Sequence, residues 1–449
     1  MTRHQDQALA TLNAVRQALR PVKPASMPAQ THDARRRPAA SFESLPEYDD
    51  IKIKRAVADI AKIDNPFYRL HEGRASQTTT IDGRKVVNFS SYDYLGLNGH
   101  PSVSAAAKKA IDDYGTSVSA SRLSAGERQI HRDLEGALAR LHGCEDALAF
   151  VSGHATNVSV IGSLLGPKDL ILCDAVIHNS VMEGAKLSGA RRILIPHGDM
   201  DALERTLRLN RTRHGRVLIV VEGLYSMDGD LPDLTALVAL KSRYDAWLMV
   251  DEAHSVGVLG QTGRGVAEEQ GVPGSDVDIW MGTLSKTFAS AGGYIAGSQA
   301  LIEILKYNTP GFVYSVGLAP PVAAAALAAH DLMLAEPWRL RQLRDNGSHF
   351  LRAAQARGLN TGTSAGAAIV PVIIGNSPDA VVLSERLLGR GFNIFPAIFP
   401  GVAENEARLR CFVTSEHQPE QIDAALDTLI VELDAIRKGP SFVSRVANR

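Results

Sequence analysis

The sequence predicts an α/β protein, with a mostly parallel sheet in a large domain and a smaller α+β domain at the C-terminal end. Three observations carry that expectation. Apolar runs alternate with helical patterns from about residue 145 to about residue 298. Several of the runs are apolar at consecutive positions, as in strands covered on both faces. Beyond about residue 330 the alternation stops and the elements follow a different order.

Residues 1–50 read as an extension and linker. "HQDQALATLNAVRQALR" has the spacing of one amphipathic helix, and "PVKPASMPAQTHDARRRPAAS" is a Pro/Ala/Arg stretch. It is read either as a solvated extension or as a docking segment for a partner protein. A segment over 51–100 leads into the large domain, 101–330. Its strand candidates are "DALAFVSG" (146–153), "DLILCDAV" (169–176), "RRILIPHG" (191–198), "RVLIVVEG" (216–223), "AWLMVDEAH" (246–254), "VDIWMGTLSK" (277–286) and "GGYIAGS" (292–298). The last follows its predecessor too closely for a helical crossover, which predicts one antiparallel strand. The small domain, 331–449, opens with a long helix over "EPWRLRQLRDNGSHFLRAAQARG". Strands follow at "AAIVPVIIG" and "RLRCFVTSE", then a helix at "PEQIDAALDTLIVELDAIRK".

At 449 residues the chain exceeds one compact core, and 45% apolar with 22% charged content is that of an ordinary globular protein. A formal charge of −1 gives no electrostatic case for nucleic acid or a membrane surface. Cys144, Cys173 and Cys411 lack metal-ligand spacing and read as reduced thiols. The N-terminus has no apolar signal core, and "LAPPVAAAALAA" is too short and proline-broken to span a bilayer. The expected location is therefore cytoplasmic.

In open α/β sheets ligands sit at the carboxyl ends of the strands. Polar residues cluster there: Gly153, His154 and Asn157; Asp174 and His178; Glu222 and Ser226; Asp251 and His254; Thr283, Ser285 and Lys286. Asp251 ends the apolar run Ala246–Val250, so its carboxylate needs something positive to meet it. Lys286 ends "DIWMGTLSK" in the same way, and an amine against an apolar site has a lowered pKa and forms Schiff bases. A Schiff-base lysine with an aspartate on a pyridinium nitrogen is the pairing used by pyridoxal 5'-phosphate enzymes. The turn at Gly153, His154 and Ala155 aims backbone N–H groups at an anion, and Thr283 or Ser285 can add hydroxyls. His254 is within reach of a ring hydroxyl, and His178 of the ring face. Taken singly, each of these residues has an ordinary structural explanation; their combination points to the cofactor.

The motifs "NFSSYDYLGL", "HRDLEGALARLHG", "SGHATN", "EGLYSMDGD", "MVDEAHSVGVLGQTGRG", "GTLSK" and "RLRCFVTSEH" occur in that order over roughly residues 85–435. Together they resemble the α-oxoamine synthases, acyltransferases within the fold type I pyridoxal phosphate enzymes that include serine palmitoyltransferase and 8-amino-7-oxononanoate synthase. The resemblance implies that Lys286 is the Schiff-base lysine and the base for the substrate's Cα proton. It implies that Asp251 pairs with the pyridine nitrogen, His254 with the ring oxygen, and that His178 stacks on the ring. Gly153 and His154 would hold the phosphate, with Asn157, Ser226, Thr283 and Ser285 completing the cofactor shell. Arg410 would clamp the amino acid carboxylate, with Tyr92 and Ser121 also at the substrate.

The implied reaction is decarboxylative condensation of a small amino acid with an acyl thioester of coenzyme A or of an acyl carrier protein. It gives an α-amino ketone, CO2 and free thiol by acid–base and electron-sink chemistry that requires no metal. Tyr92 and Ser121 lean towards serine palmitoyltransferase, favouring serine or alanine over glycine. Gly401 stands where the biotin-pathway enzyme has threonine, which leaves coenzyme A contacts open. Relatives are homodimers with shared sites, so "FVYSVGLAPP" is expected to act across the dimer, and residues 1–50 suit an acyl carrier protein. An aminotransferase on the same fold, or a non-catalytic partner subunit, is the competing expectation. The second is disfavoured because Lys286, His178 and Asp251 are all present.

Overall fold

A computed structural model of the chain describes residues 41–61 and 64–439. The helix expected near the N-terminus, and nearly all of the Pro/Ala/Arg stretch after it, lie outside the described residues. Among the described residues the first long element is a helix at Pro46–Ala61, with Glu47 and Asp49 in its first turn, where acidic groups suit the helix dipole.

Strands β1 (Thr78–Ile81) and β2 (Arg84–Asn88) form a hairpin through Asp82–Gly83, both at positive φ as a tight two-residue turn requires. The large sheet follows: β3 (Asp146–Phe150), β4 (Leu170–Asp174), β5 (Arg191–Ile195), β6 (Val217–Glu222), β7 (Trp247–Asp251), β8 (Ile279–Thr283) and β9 (Gly293–Gly297). All seven expected strands are present, in the spatial order β3-β9-β8-β7-β6-β4-β5. Every neighbouring pair is parallel except those made by β9, which runs antiparallel to both β3 and β8, as the short connection from β8 predicts. The carboxyl ends of β3, β4, β6, β7 and β8 therefore share one edge.

The consecutive apolar runs have a direct packing explanation. Leu170, Leu172, Val217, Ile219, Val221, Leu248 and Val250 face one core, which includes the helix Pro320–Ala335. Ile171, Cys173, Leu218, Val220 and Met249 face a second core, against the helices Gly153–Leu164, Asn179–Ser188 and Gln299–Asn308. Each side chain of this kind contributes about 1.5–3 kcal/mol on burial, so register is set strongly at both faces.

The C-terminal part contains β10 (Ile369–Gly375), β11 (Phe392–Asn393), β12 (Phe395–Ala397) and β13 (Ala407–Phe412). β13 is central in an antiparallel sheet between β10 and β12. Helices Pro337–Ala356, Ser377–Gly389 and Pro419–Lys438 cover that sheet through one shared core. β11 pairs in parallel with β2, so the segment before residue 100 is built onto the C-terminal part as well as onto the large sheet. Among the described residues no helix is long and apolar enough to cross a membrane.

Candidate active site

Strand direction assembles the site. Glu222 and Asp251 end β6 and β7 as direct register partners, and β8 delivers Thr283, with Ser285 and Lys286 just beyond it. Asp251 is 5% exposed. Its Oδ2 accepts from Asn157 Nδ2 at 2.8 Å and its Oδ1 from the Ala253 N–H at 3.0 Å. No lysine, arginine or histidine forms an ion pair with it among the described residues. The same Asn157 amide donates to Ser180 Oγ at 2.9 Å, and Ser180 Oγ lies 2.7 Å from His178 Nδ1. The helices that start at Gly153 and Asn179 are thus tied to the aspartate.

Lys286 is partly buried, and burial pulls its amine down to about 8. Its Nζ lies 2.8 Å from His254 Nε2, whose Nδ1 is 2.6 Å from the Tyr94 hydroxyl. Burial first, and then the charge of Lys286, hold His254 well below its usual pKa, so the ring is neutral. An ammonium can only donate, which puts the ring proton on Nδ1, facing Tyr94. Burial also pushes Glu222 up to about 8, with the charge of Asp251 adding to it. Its Oε2 accepts from the Ser226 N–H at 3.1 Å, while Oε1 is buried without a partner.

Gly153 opens its helix, with Ser152 as N-cap. A Cβ there would stand 2.8 Å from Thr283 Oγ1, so the glycine permits this close approach. Thr283 Oγ1 is 2.8 Å from Ser285 Oγ, making a corner of hydroxyls beside a helix N-terminus. His154 stands edge-on to His178, with centroids 6.3 Å apart, and His178 is exposed.

On the other side, Arg410 Nη2 donates to the Tyr92 hydroxyl at 3.2 Å, and Nη1 reaches Ser226 O at 3.4 Å. Its Nε is buried with no partner. Lys286 Nζ lies 5.6 Å from the centroid of the Tyr92 ring. Ser121 stands outside this cluster: its Oγ donates to Val313 O at 2.6 Å and caps the turn at Leu123. Two residues with direct roles in the geometry, Tyr94 and Ser180, were not singled out by the sequence reading. Tyr94 sits inside "SSYDYLGL", and Ser180 is two residues from His178 in "DAVIHNS".

These residues fit pyridoxal phosphate. An unpaired buried carboxylate faces the place for a cationic ring nitrogen, and a hydroxyl-lined helix start suits the phosphate. Asn157 Oδ1 and Glu222 Oε1 leave polar valences to satisfy.

Residues 84–429 match the family described as aminotransferase class I and II. The 8-amino-7-oxononanoate synthase of Geobacter sulfurreducens is 42% identical over 356 residues, 79% of this chain and 90% of that protein. The chain belongs to the α-oxoamine synthase family. Two solved α-oxoamine synthases extend the likeness to the whole fold. The Sphingomonas wittichii serine palmitoyltransferase superposes with a TM-score of 0.84 at 31% identity, covering 89% of this chain and 100% of that one. The S. paucimobilis serine palmitoyltransferase, solved with a bound pyridoxal phosphate–myriocin aldimine, gives 0.83 at 28% identity over 88% and 99%. This α-oxoamine synthase is accordingly a pyridoxal phosphate-dependent C-acyltransferase of fold type I. Several curated sequence relatives carry the 8-amino-7-oxononanoate synthase name while the structural neighbours above are serine palmitoyltransferases.

Proposed function

We propose that this enzyme condenses serine or alanine with an acyl thioester and releases CO2, free thiol and an α-amino ketone. The observation that carries the proposal is the arrangement around Tyr92. Its ring lies beside the Lys286 amine and its hydroxyl accepts from the Arg410 guanidinium. Tyr92 thus stands between the guanidinium that would hold the amino acid carboxylate and the amine that would act on its α carbon. The Nε of Arg410 has no partner of its own, which leaves a donor for a bidentate carboxylate clamp.

When bound, pyridoxal phosphate supplies an electron sink for the pair left on the α carbon. The protein's own groups do the rest. Asp251, oriented by Asn157, holds a proton on the ring nitrogen and so keeps the sink open. Lys286, with an amine near 8, is poised to take and return the Cα proton near neutral pH. His254 and Tyr94 form a relay that fixes the lysine's position from behind. His178, held by Ser180, would stack on the ring face. The N–H groups of Gly153 and His154, with Thr283 and Ser285, would hold the phosphate, and Ser226 would complete the cofactor shell. Ser121 reaches a substrate only if a second copy completes the site, which fits a homodimer with shared sites. Exposed Tyr307, Tyr314 and Val316 suit such an interface. A carrier protein docking on residues 1–50, and a cytoplasmic location, complete the proposal.

An absorbance titration of the cofactor-loaded enzyme with serine, alanine, glycine and threonine tests the amino acid assignment. Serine or alanine should perturb the cofactor spectrum at the lowest concentration, and an acyl thioester should then perturb it further. Saturation by glycine alone overturns the assignment.

A further inference from the structure

The loop Ser226–Asp230, which follows β6, is held between the large sheet and the C-terminal part by contacts that the reaction does not use. It closes on itself through Tyr225 N–Asp230 O at 2.9 Å and Gly229 N–Tyr225 O at 2.8 Å. Gly229 has φ +71 and a Cβ there would come within 2.2 Å of Ile369 O, so the loop lies directly on β10. Ala365 N donates to Gly229 O at 2.9 Å and Thr363 Oγ1 to Asp230 Oδ2 at 2.8 Å. The far end is pinned by His197, whose two ring nitrogens lie 2.9 Å from Asp230 and from Asp174.

Arg408 and Arg410 are two apart on β13, so their side chains leave the same face. They are bonded very differently. Arg408 is 4% exposed and each of its guanidinium nitrogens has a partner: the Asp228 carboxylate, Met227 O at 3.3 Å, Glu406 O at 2.9 Å and Glu406 Oε2 at 3.4 Å. Arg410 touches the preceding carbonyl, that of Ser226, and keeps Nε unpartnered. Consecutive carbonyls of the loop thus meet alternate arginines of the strand. A shift of the loop by one residue would displace Ser226, whose N–H is bonded to Glu222 at the end of β6.

We propose that Arg408 and Asp228 are a positioning pair that locks this loop against β13 in the register presenting Arg410 to the substrate carboxylate. The pair acts through Arg410, so the inference rests on the clamp assigned to Arg410 above. Steady-state kinetics of Arg408→Met, Asp228→Asn, Arg408→Lys and Arg410→Ala, with melting temperature and cofactor occupancy of each, test it. Arg408→Met and Asp228→Asn should raise the amino acid KM about 10-fold with kcat within about 2-fold and the thioester KM unchanged. Arg408→Lys, which keeps the ion pair but not the second donor, should recover part of the loss. If Arg408→Met does not fold, Asp228→Asn and Arg408→Lys carry the test. An unchanged amino acid KM in the pair variants while Arg410→Ala raises it overturns the pair and leaves the clamp standing. A parallel loss of kcat, both KM values and melting temperature also overturns it, because that is a merely structural role. An unchanged amino acid KM in Arg410→Ala overturns the clamp itself, and the pair with it.

Discussion

Burial drives the Lys286 amine down and the Glu222 carboxyl up to the same region, about 8. The two have opposite consequences for stability. Glu222 titrates near 4.5 when unfolded and near 8 when folded, so its contribution is complete below pH 4.5 and lost as pH rises through 8. Above pH 8 the native state releases the Lys286 proton before the unfolded chain does, and stability recovers towards pH 10.5. Glu222→Gln keeps the size and neutrality of the buried acid. Urea unfolding of the cofactor-free protein should show the variant gaining on the parent between pH 4.5 and 8, and parallel profiles would contradict the buried-acid account. Asp251→Asn removes the charge and retains the shape. Activity should fall roughly 10²-fold or more with little change in melting temperature, since the proton on the ring nitrogen is no longer held. Near-parental turnover in that variant would remove the role assigned to Asp251.

Among the elements, the turn between β3 and the helix at Gly153 makes a specific demand on sequence. Gly153→Ala brings a methyl to 2.8 Å of Thr283 Oγ1 and parts the hydroxyl corner from the helix start. Equilibrium dialysis should find pyridoxal phosphate bound about 10-fold more weakly, while the cofactor-free protein melts near the parent; unaltered affinity would mean that the phosphate sits elsewhere. Much of this was legible in the chain. Asp251 and Lys286 each end an unbroken apolar run, and a parallel sheet has to deliver both to one edge. The antiparallel β9 followed from the few residues available to connect it to β8. The contacts that cross the molecule were not legible. Tyr92 meets Arg410 across 318 positions and Tyr94 meets His254 across 160, separations over which no local pattern carries information. Ser180 escaped notice because a serine in a helix's first turn reads as ordinary capping. The pairing of β2 with β11 depends on strands too short to show periodicity.

Across the whole molecule, two units meet at the site. The large sheet supplies Asp251, Lys286 and the hydroxyl corner, and β13 of the C-terminal part supplies Arg410. The segment carrying Tyr92 and Tyr94 bridges them, with Tyr92 on Arg410 and Tyr94 on His254. In the proposed reaction one unit would hold the amino acid and the other would activate it. The measurement that tests the central claim most directly is product analysis with serine or alanine and an acyl thioester, comparing the enzyme with Lys286→Ala. The account predicts equimolar CO2, free thiol and α-amino ketone from the enzyme, and none from the variant. Transfer of the amino group to a keto acid, without CO2 or thiol, would contradict it.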